Sequence, residues 1–129
     1  MVPAMSDSEK PTVYITPGEA PPSELVTEDI EVGSGDEAVS GRAVEVHYVG
    51  VSWQTRKQFD ASWDRGDSFR FNLGTGQVIK GWDQGVAGMR VGGRRQLIIP
   101  PDLGYGAQAQ GGIPANDTLI FVIDLVGVR

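Results

Sequence analysis

Apolar and polar residues alternate with a period of two along much of this chain after residue 24, a pattern typical of half-buried β-strands. The alternation is clearest in residues 42–52, where Val44 and Val46 fall on the same face. Residues 118–128 are almost continuously apolar, so we expect this strand to lie centrally in its sheet. Five strands are predicted, at residues 24–32, 42–52, 68–74, 94–100 and 118–128.

One segment, from Val78 to Met89, has the periodicity of a helix instead. Ile79, Trp82 and Val86 are spaced so that they share one helical face. The glycines of this segment lower its helix propensity, so we expect tertiary packing to hold it in place. The predicted fold class is therefore α+β: a curled antiparallel sheet of about five strands, a half-open β-barrel, wrapped around one short α-helix.

Two stretches between these elements are predicted to lack regular structure. Residues 54–58 are expected to form a turn or a strand crossing. Residues 102–117 form a loop that is long for a compact domain, and loops of that length are usually functional.

The first part of the chain differs from the rest in composition. Residues 1–22 contain five prolines, and residues 1–41 hold nine acidic residues but one basic residue. A segment of this kind has little to bury, so we predict that residues 1–22 are largely disordered and that residues 23–129 form the folded domain. Within residues 1–22, Met1 to Lys10 should be disordered, whereas Thr12 to Thr16 is able to lie along the folded domain as an extended arm. The acidic charge indicates a solubilising tail or, as the weaker alternative, a shield against nucleic acid.

Composition excludes several kinds of chemistry. The chain has no Cys and a single His, which excludes disulfides, thiol catalysis and the usual structural zinc site. We therefore expect no metal and no cofactor. The charge balance argues against a nucleic-acid partner. No stretch resembles a signal peptide or a membrane span, so a cytoplasmic protein without membrane contact is expected.

Several stretches resemble known binding or catalytic motifs but lack residues that those motifs require. GTGQVIKG lacks the spacing of a phosphate-binding loop, because Lys80 is followed by Gly. DASWDRG begins like a calcium loop, but its sixth and twelfth positions hold Arg65 and Phe71. His47 has no nucleophile context and is interpreted as a partly buried, hydrogen-bonded side chain. The pair Arg94-Arg95 is interpreted as a solvated strand end rather than a phosphate site.

What remains is a set of aromatic residues from six separate segments: Tyr48, Phe59, Phe69, Trp82, Tyr105 and Phe121. The simplest interpretation is that they form the core. Two features favour an open pocket instead. Tyr105 lies in a Gly-flanked loop rather than a strand, and Phe59 is followed at once by the charged Asp60.

Six further stretches lie between about Glu24 and Val128: VHYVG, FDASWDRG, FRFNLGTGQVIKGWDQGVAGM, VGGRRQLIIPPDLGYG, GGIPAND and TLIFVIDLV. In their order and similar spacing the sequence resembles the FKBP-type peptidyl-prolyl cis–trans isomerases. The resemblance implies that residues 23–129 form an isomerase domain of this type.

The resemblance also implies a substrate pocket lined by Tyr48, Phe59, Asp60, Phe69, Gln77, Val78, Ile79, Trp82, Tyr105, Ile113 and Phe121. Within it, Trp82 forms the floor, the Ile79 backbone N–H meets a substrate carbonyl, and Ile113 overhangs from the long loop. The residues expected to act in catalysis are Asp60, Tyr105, Trp82 and Phe121. Arg65 matches the family's partner for Asp60, which implies an ion pair. Gln77 stands where the family often has an acidic residue, and a contact through its backbone carbonyl survives that change.

The function implied is rotation of X-Pro peptide bonds in folding proteins. The alternative is a non-catalytic module that binds Pro-containing peptides in the same pocket. The resemblance implies prolyl-containing polypeptides as partners and macrolide immunosuppressants as inhibitors, and a monomer is the default.

Overall fold

The computed structural model describes residues 9–129. The predicted disorder of Met1 to Lys10 therefore lies, for residues 1–8, outside the described residues. The described chain forms six strands, two short α-helices and one 3₁₀ helix at Pro101–Leu103. The strands and α-helices are Val26–Glu31 (β1), Ala43–Ser52 (β2), Gln58–Ala61 (β3), Ser62–Arg65 (α1), Phe69–Asn72 (β4), Lys80–Gly85 (α2), Arg94–Ile99 (β5) and Leu119–Val128 (β6). Neither α-helix in this part of the chain is long enough to cross a membrane.

The six strands form one antiparallel sheet in the order β1-β5-β6-β2-β3, and β4 pairs with another part of β2. The sheet curls around α2 without closing, which confirms the predicted fold class. The apolar β6 lies between β5 and β2, as predicted. The predicted count of about five did not include β3, which begins at the end of the predicted turn at residues 54–58.

The core lies between the concave face of the sheet and α2. Alternate residues of β2 and β6 point into it, and they meet Trp82 of α2 and Val86, the residue that follows α2. Gly81 and Gly85 allow this close approach, since a Cβ at either would lie within 2.8 Å of the side chains of Ile99 or Leu97. These glycines weaken the helix locally and permit the packing that holds it.

The helix is shorter than predicted. Residues 78–89 were expected to be helical, but α2 spans Lys80–Gly85. Ile79 has an extended backbone with a ψ of 152°, so the helix begins after it. Gly88 adopts a left-handed backbone with a φ of +92°, which ends any continuation. The helical spacing of apolar residues in the sequence therefore extends beyond the residues that form the helix.

Residues 9–16 run over the outer face of the sheet. Val13 and Ile15 pack against Val49, Val51, Ala61 and Trp63, as expected of an extended arm. The backbone carbonyl of Glu9 accepts a hydrogen bond from Arg94, and Lys10 pairs with Asp64 at 2.8 Å. The arm thus covers an apolar strip that would otherwise face water.

The interpretation of Arg94-Arg95 as a solvated strand end is wrong. Arg94 is buried and binds the fully buried Asp124 on the neighbouring strand, with 2.7 Å between Nε and Oδ1. Arg95 points to the other face, where it pairs with Asp29 and donates to the carbonyls of Gly85 and Ala87. A charge that is buried needs a partner, and only the folded sheet supplies one here.

Candidate functional site

Six aromatic rings converge at the open end of the core, around a cavity of about 200 Å³. Trp82 stands at its centre, with ring centroids 5.0 Å from Tyr48, 5.2 Å from Phe121 and 6.0 Å from Phe69. Phe59 meets Phe121 edge to face at 5.5 Å. The lining residues are Tyr48, Phe59, Asp60, Phe69, Gln77, Val78, Ile79, Trp82, Tyr105 and Phe121. Ten of the eleven residues proposed from the sequence are therefore brought together.

The remaining one, Ile113, does not line the cavity. Its side chain is 5% exposed and packs within the core. The backbone groups of Ile113 and Gln110 bond to each other in both directions at 2.7 and 2.9 Å, which closes a tight turn.

A close approach of the backbone shapes the cavity wall. Gly50 of β2 lies directly beneath the rings of Phe59 and Phe121. A Cβ at this position would lie 2.6 Å from Phe59 Cζ and 2.7 Å from Phe121 Cε1. The absence of a side chain at residue 50 lets both rings fold inward and meet.

A cluster of three polar side chains, Tyr48, Asp60 and Arg65, sits at the cavity wall. The Tyr48 hydroxyl donates to Asp60 Oδ2 at 2.5 Å, and Arg65 donates both to Asp60 Oδ1 at 2.5 Å and to the Tyr48 hydroxyl at 3.0 Å. The structure thus places Arg65 against Asp60, where the ion pair was expected. The three side chains form a closed ring of hydrogen bonds.

This arrangement keeps Asp60 ionised. Burial raises the pKa of Asp60, but the hydrogen bonds from Tyr48 and Arg65 and the Arg65 charge outweigh it, so the pKa lies below 3.8. Burial, together with the Asp60 hydrogen bond, raises the pKa of Tyr48 above 10.0. The hydrogen bonds to Tyr48 and Asp60 raise the pKa of Arg65. Near neutral pH the group is a carboxylate, a phenol and a guanidinium.

Ser62, which the sequence analysis did not single out, holds the Asp60 segment against β2. Its hydroxyl oxygen accepts the backbone N–H of Tyr48 at 2.7 Å and lies 2.9 Å from Nδ1 of His47. His47 also stacks on Trp63, with 4.4 Å between ring centroids. His47 is thus a partly buried, hydrogen-bonded side chain, as interpreted, and no local sequence signal marks Ser62 as its partner.

The opposite wall comes from the segment before α2. Val78 and Ile79 line the cavity, and the carbonyl of Ile79 accepts from the backbone N–H groups of Trp82 and Asp83. Gln77 folds back, so that its Oε1 accepts the backbone N–H of Asn72 at 2.8 Å. Within residues 9–129 the N–H of Ile79 has no acceptor. It is a free donor beside an apolar cavity.

The long loop contributes Tyr105, whose exposed side chain lies at the rim. The far end of the loop is fixed by Asp117, another residue the sequence analysis missed. This buried carboxylate accepts from the Ser52 hydroxyl at 2.5 Å and from the backbone N–H of Gln54 at 3.1 Å. Asn116, with a φ of 56°, donates to the carbonyl of Gly106 at 2.7 Å. The position of this Asp just before a buried strand was the sequence feature that could have indicated its role.

A larger groove of about 450 Å³ lies on the outer face, between the arm and β2. Its described lining contains charged and aliphatic side chains, including Lys10 and Arg56, and no aromatic ring. The smaller cavity is the better candidate, because it combines an apolar floor with convergent polar groups.

Residues 35–126 match the family of FKBP-type peptidyl-prolyl cis-trans isomerases. The chain belongs to this family. The match covers the whole cavity and every strand except β1 and the end of β6.

Several proteins of known sequence or structure are similar to this chain. The FK506-binding protein of Streptomyces anulatus is 57% identical over 122 residues, which is 93% of this chain and 98% of that protein. The probable FK506-binding protein of Corynebacterium glutamicum is 50% identical over 92% of this chain and 98% of its own length. The crystal structure of AtFKBP13 is 41% identical, covers 84% of this chain and 96% of its own, and superposes with a TM-score of 0.76. FkpA from Escherichia coli is 38% identical over 81% of this chain and 48% of its own, with a TM-score of 0.74.

Proposed function

We propose that this protein is a peptidyl-prolyl cis–trans isomerase, which accelerates rotation of X-Pro bonds by binding the twisted amide in the aromatic cavity. The observation that carries the proposal is the convergence of six rings on an open cavity above Trp82, beside the free N–H of Ile79. Family membership supports the same activity.

The chemistry needs no nucleophile. A planar amide resists rotation with a barrier of about 18–20 kcal/mol, because resonance gives its C–N bond partial double-bond character. Twisting removes the resonance and with it part of the charge separation of the carbonyl. Water favours the polar planar form, whereas an apolar cavity favours the twisted one. The ring of proline packs on an indole such as that of Trp82 without requiring a hydrogen bond.

In this proposal the N–H of Ile79 binds a substrate carbonyl and fixes the orientation of the peptide. Tyr105 supplies a hydroxyl at the rim, which has no side-chain partner within the described chain. Asp60 acts electrostatically and by orientation rather than by proton transfer. Both of its oxygens already accept hydrogen bonds from Tyr48 and Arg65, and its pKa is lowered, so it is a weak base.

The same cavity suits a macrolide such as FK506, after which the relatives are named. A ligand of this kind would bury an apolar ring over Trp82 and change its fluorescence. Titration of the parent and of Trp82→Phe separates this signal from those of the other two tryptophans, Trp53 and Trp63. An unchanged parent spectrum at saturating FK506 would count against macrolide binding here.

The decisive experiment is a protease-coupled isomerisation assay on a prolyl tetrapeptide. We expect the parent to accelerate cis-to-trans exchange, and Phe121→Ala to lose most of the effect because one wall is removed. Tyr14→Ala, on the exposed side of the arm, is the matched control and should match the parent. A parent that binds the peptide tightly but leaves its exchange rate unchanged would instead indicate a binding module.

A further inference from the structure

Residues 74–79, most of the connection between β4 and α2, form part of the cavity wall with very little backbone support. We name these residues the entrance segment. Among the described residues, no hydrogen bond between backbone groups involves residues 74–78. Gly74 and Gly76 both have left-handed backbones, with φ values of +82° and +81°. A segment of this kind is mobile unless side chains hold it.

Side chains supply that support: Thr75 and Gln77 each bond to the backbone of Asn72 at 2.8 Å, and one carboxylate holds the two glycines. Asp83 Oδ1 accepts the backbone N–H of Gly74 at 2.8 Å, and its Oδ2 accepts that of Gly76 at 3.0 Å. The backbone N–H of Asp83 bonds to the carbonyl of Ile79 at 3.3 Å. Asp83 thus binds both ends of the entrance segment at once. Hydrogen bonds to an ionised acceptor are about twice as strong as neutral ones.

Asp83 is well placed to fix the segment, because α2 is itself immobilised. Gly81 and Gly85 pack directly on β5, and Trp82 is enclosed by the aromatic rings. Asp83 does not line the cavity, so a substrate there meets Ile79 and Val78 rather than the carboxylate.

We infer that Asp83 is a positioning residue, which holds the entrance segment so that the Ile79 N–H is aimed at the cavity before a substrate arrives. The inference rests on the proposed isomerase function. Preorganisation of this kind spares the substrate the entropic cost of ordering the segment. Loss of this preorganisation therefore raises KM more than it lowers kcat, because the Ile79 N–H contacts the substrate both before and during rotation.

The test compares Asp83→Ala and Asp83→Asn with the parent. Ala removes both acceptors, and Asn keeps one acceptor oxygen while retaining the shape of the side chain. Gln84→Ala is the matched control, because Gln84 is the exposed neighbour on α2 and its side chain forms no hydrogen bond within residues 9–129. Circular dichroism establishes that each variant is folded at the assay temperature, and Asp83→Asn keeps the test available if Asp83→Ala is not.

Two measurements are made on each variant. Amide hydrogen exchange in the free protein should quicken about tenfold or more at Gly74 and Gly76 in Asp83→Ala, and at one of them in Asp83→Asn. In the tetrapeptide assay, kcat/KM should fall about 5- to 20-fold in Asp83→Ala, mostly through KM. Gln84→Ala should match the parent in both.

The outcomes separate the two proposals. Unchanged exchange at Gly74 and Gly76 in Asp83→Ala overturns the inference, and so does faster exchange with unaltered kcat and KM. A parent without isomerase activity overturns the proposed function. In that case the positioning role of Asp83 is decided by amide hydrogen exchange together with the affinity for the same tetrapeptide, measured by tryptophan fluorescence.

Discussion

Gly50→Ala tests whether the cavity walls stand where the structure puts them. The substitution adds one methyl group, whose carbon would lie 2.6 Å from Phe59 Cζ and 2.7 Å from Phe121 Cε1. Carbon atoms in favourable contact are about 3.5–4.0 Å apart, so the two rings must retreat by roughly an ångström or β2 must shift. Gly50 has no positive φ, so the backbone itself accepts alanine.

The expected magnitude follows from this overlap. Overpacking of a core by a methyl group costs about 1–3 kcal/mol of folding free energy. The displaced rings of Phe59 and Phe121 line the cavity of about 200 Å³. A bound prolyl ring needs that cavity, so a loss of about 5- to 150-fold in kcat/KM is expected.

The tetrapeptide assay and a urea unfolding curve measure the two effects. Gly111→Ala is the control, because a Cβ there meets no atom within 4 Å and the φ of Gly111 is not positive. It should change the free energy of unfolding by less than about 0.5 kcal/mol. If Gly50→Ala retained the stability and activity of the parent, the rings would not meet over residue 50, and the proposed cavity would be wrong.

Three further outcomes are expected. Because the pKa of Asp60 lies below 3.8, its ionised form contributes stability at higher pH that is lost as the pH falls through the lowered pKa. Because Asp60 stays ionised above that pKa, isomerase activity should be flat from about pH 5 to 9. A fall in activity near pH 6–7 that is lost in Asp60→Asn would instead indicate proton transfer by Asp60. Val13→Asp should destabilise the fold by about 1–2 kcal/mol in thermal unfolding, whereas Tyr14→Asp on the exposed side should not; equal effects would show that the arm does not pack as described. Asp124→Asn leaves Arg94 buried beside a neutral group and should cost about 3–5 kcal/mol, and a urea midpoint unchanged from the parent would contradict the buried pair.

Local patterns were sufficient for most of the fold. The strands of residues 42–52 and 118–128 are signalled by apolar faces, because a residue in a half-buried strand contacts the same side of the sheet as the residue two positions away. The fold class and the central place of β6 followed from those patterns. Even the aromatic set was visible, although the resemblance to the family was needed to assign roles to its members.

The sequence by itself determined which residues are apolar, where strands alternate and which rings are available. Tertiary structure alone decided what depends on partners distant along the chain. Arg94 looks like a solvated charge until β6 brings Asp124 beside it. Asp83 and Ser62 look like ordinary polar residues until folding places backbone N–H groups at their oxygens. A hydrogen bond is directional and short in range, so its partner is fixed by three-dimensional position and leaves no periodic trace in the sequence.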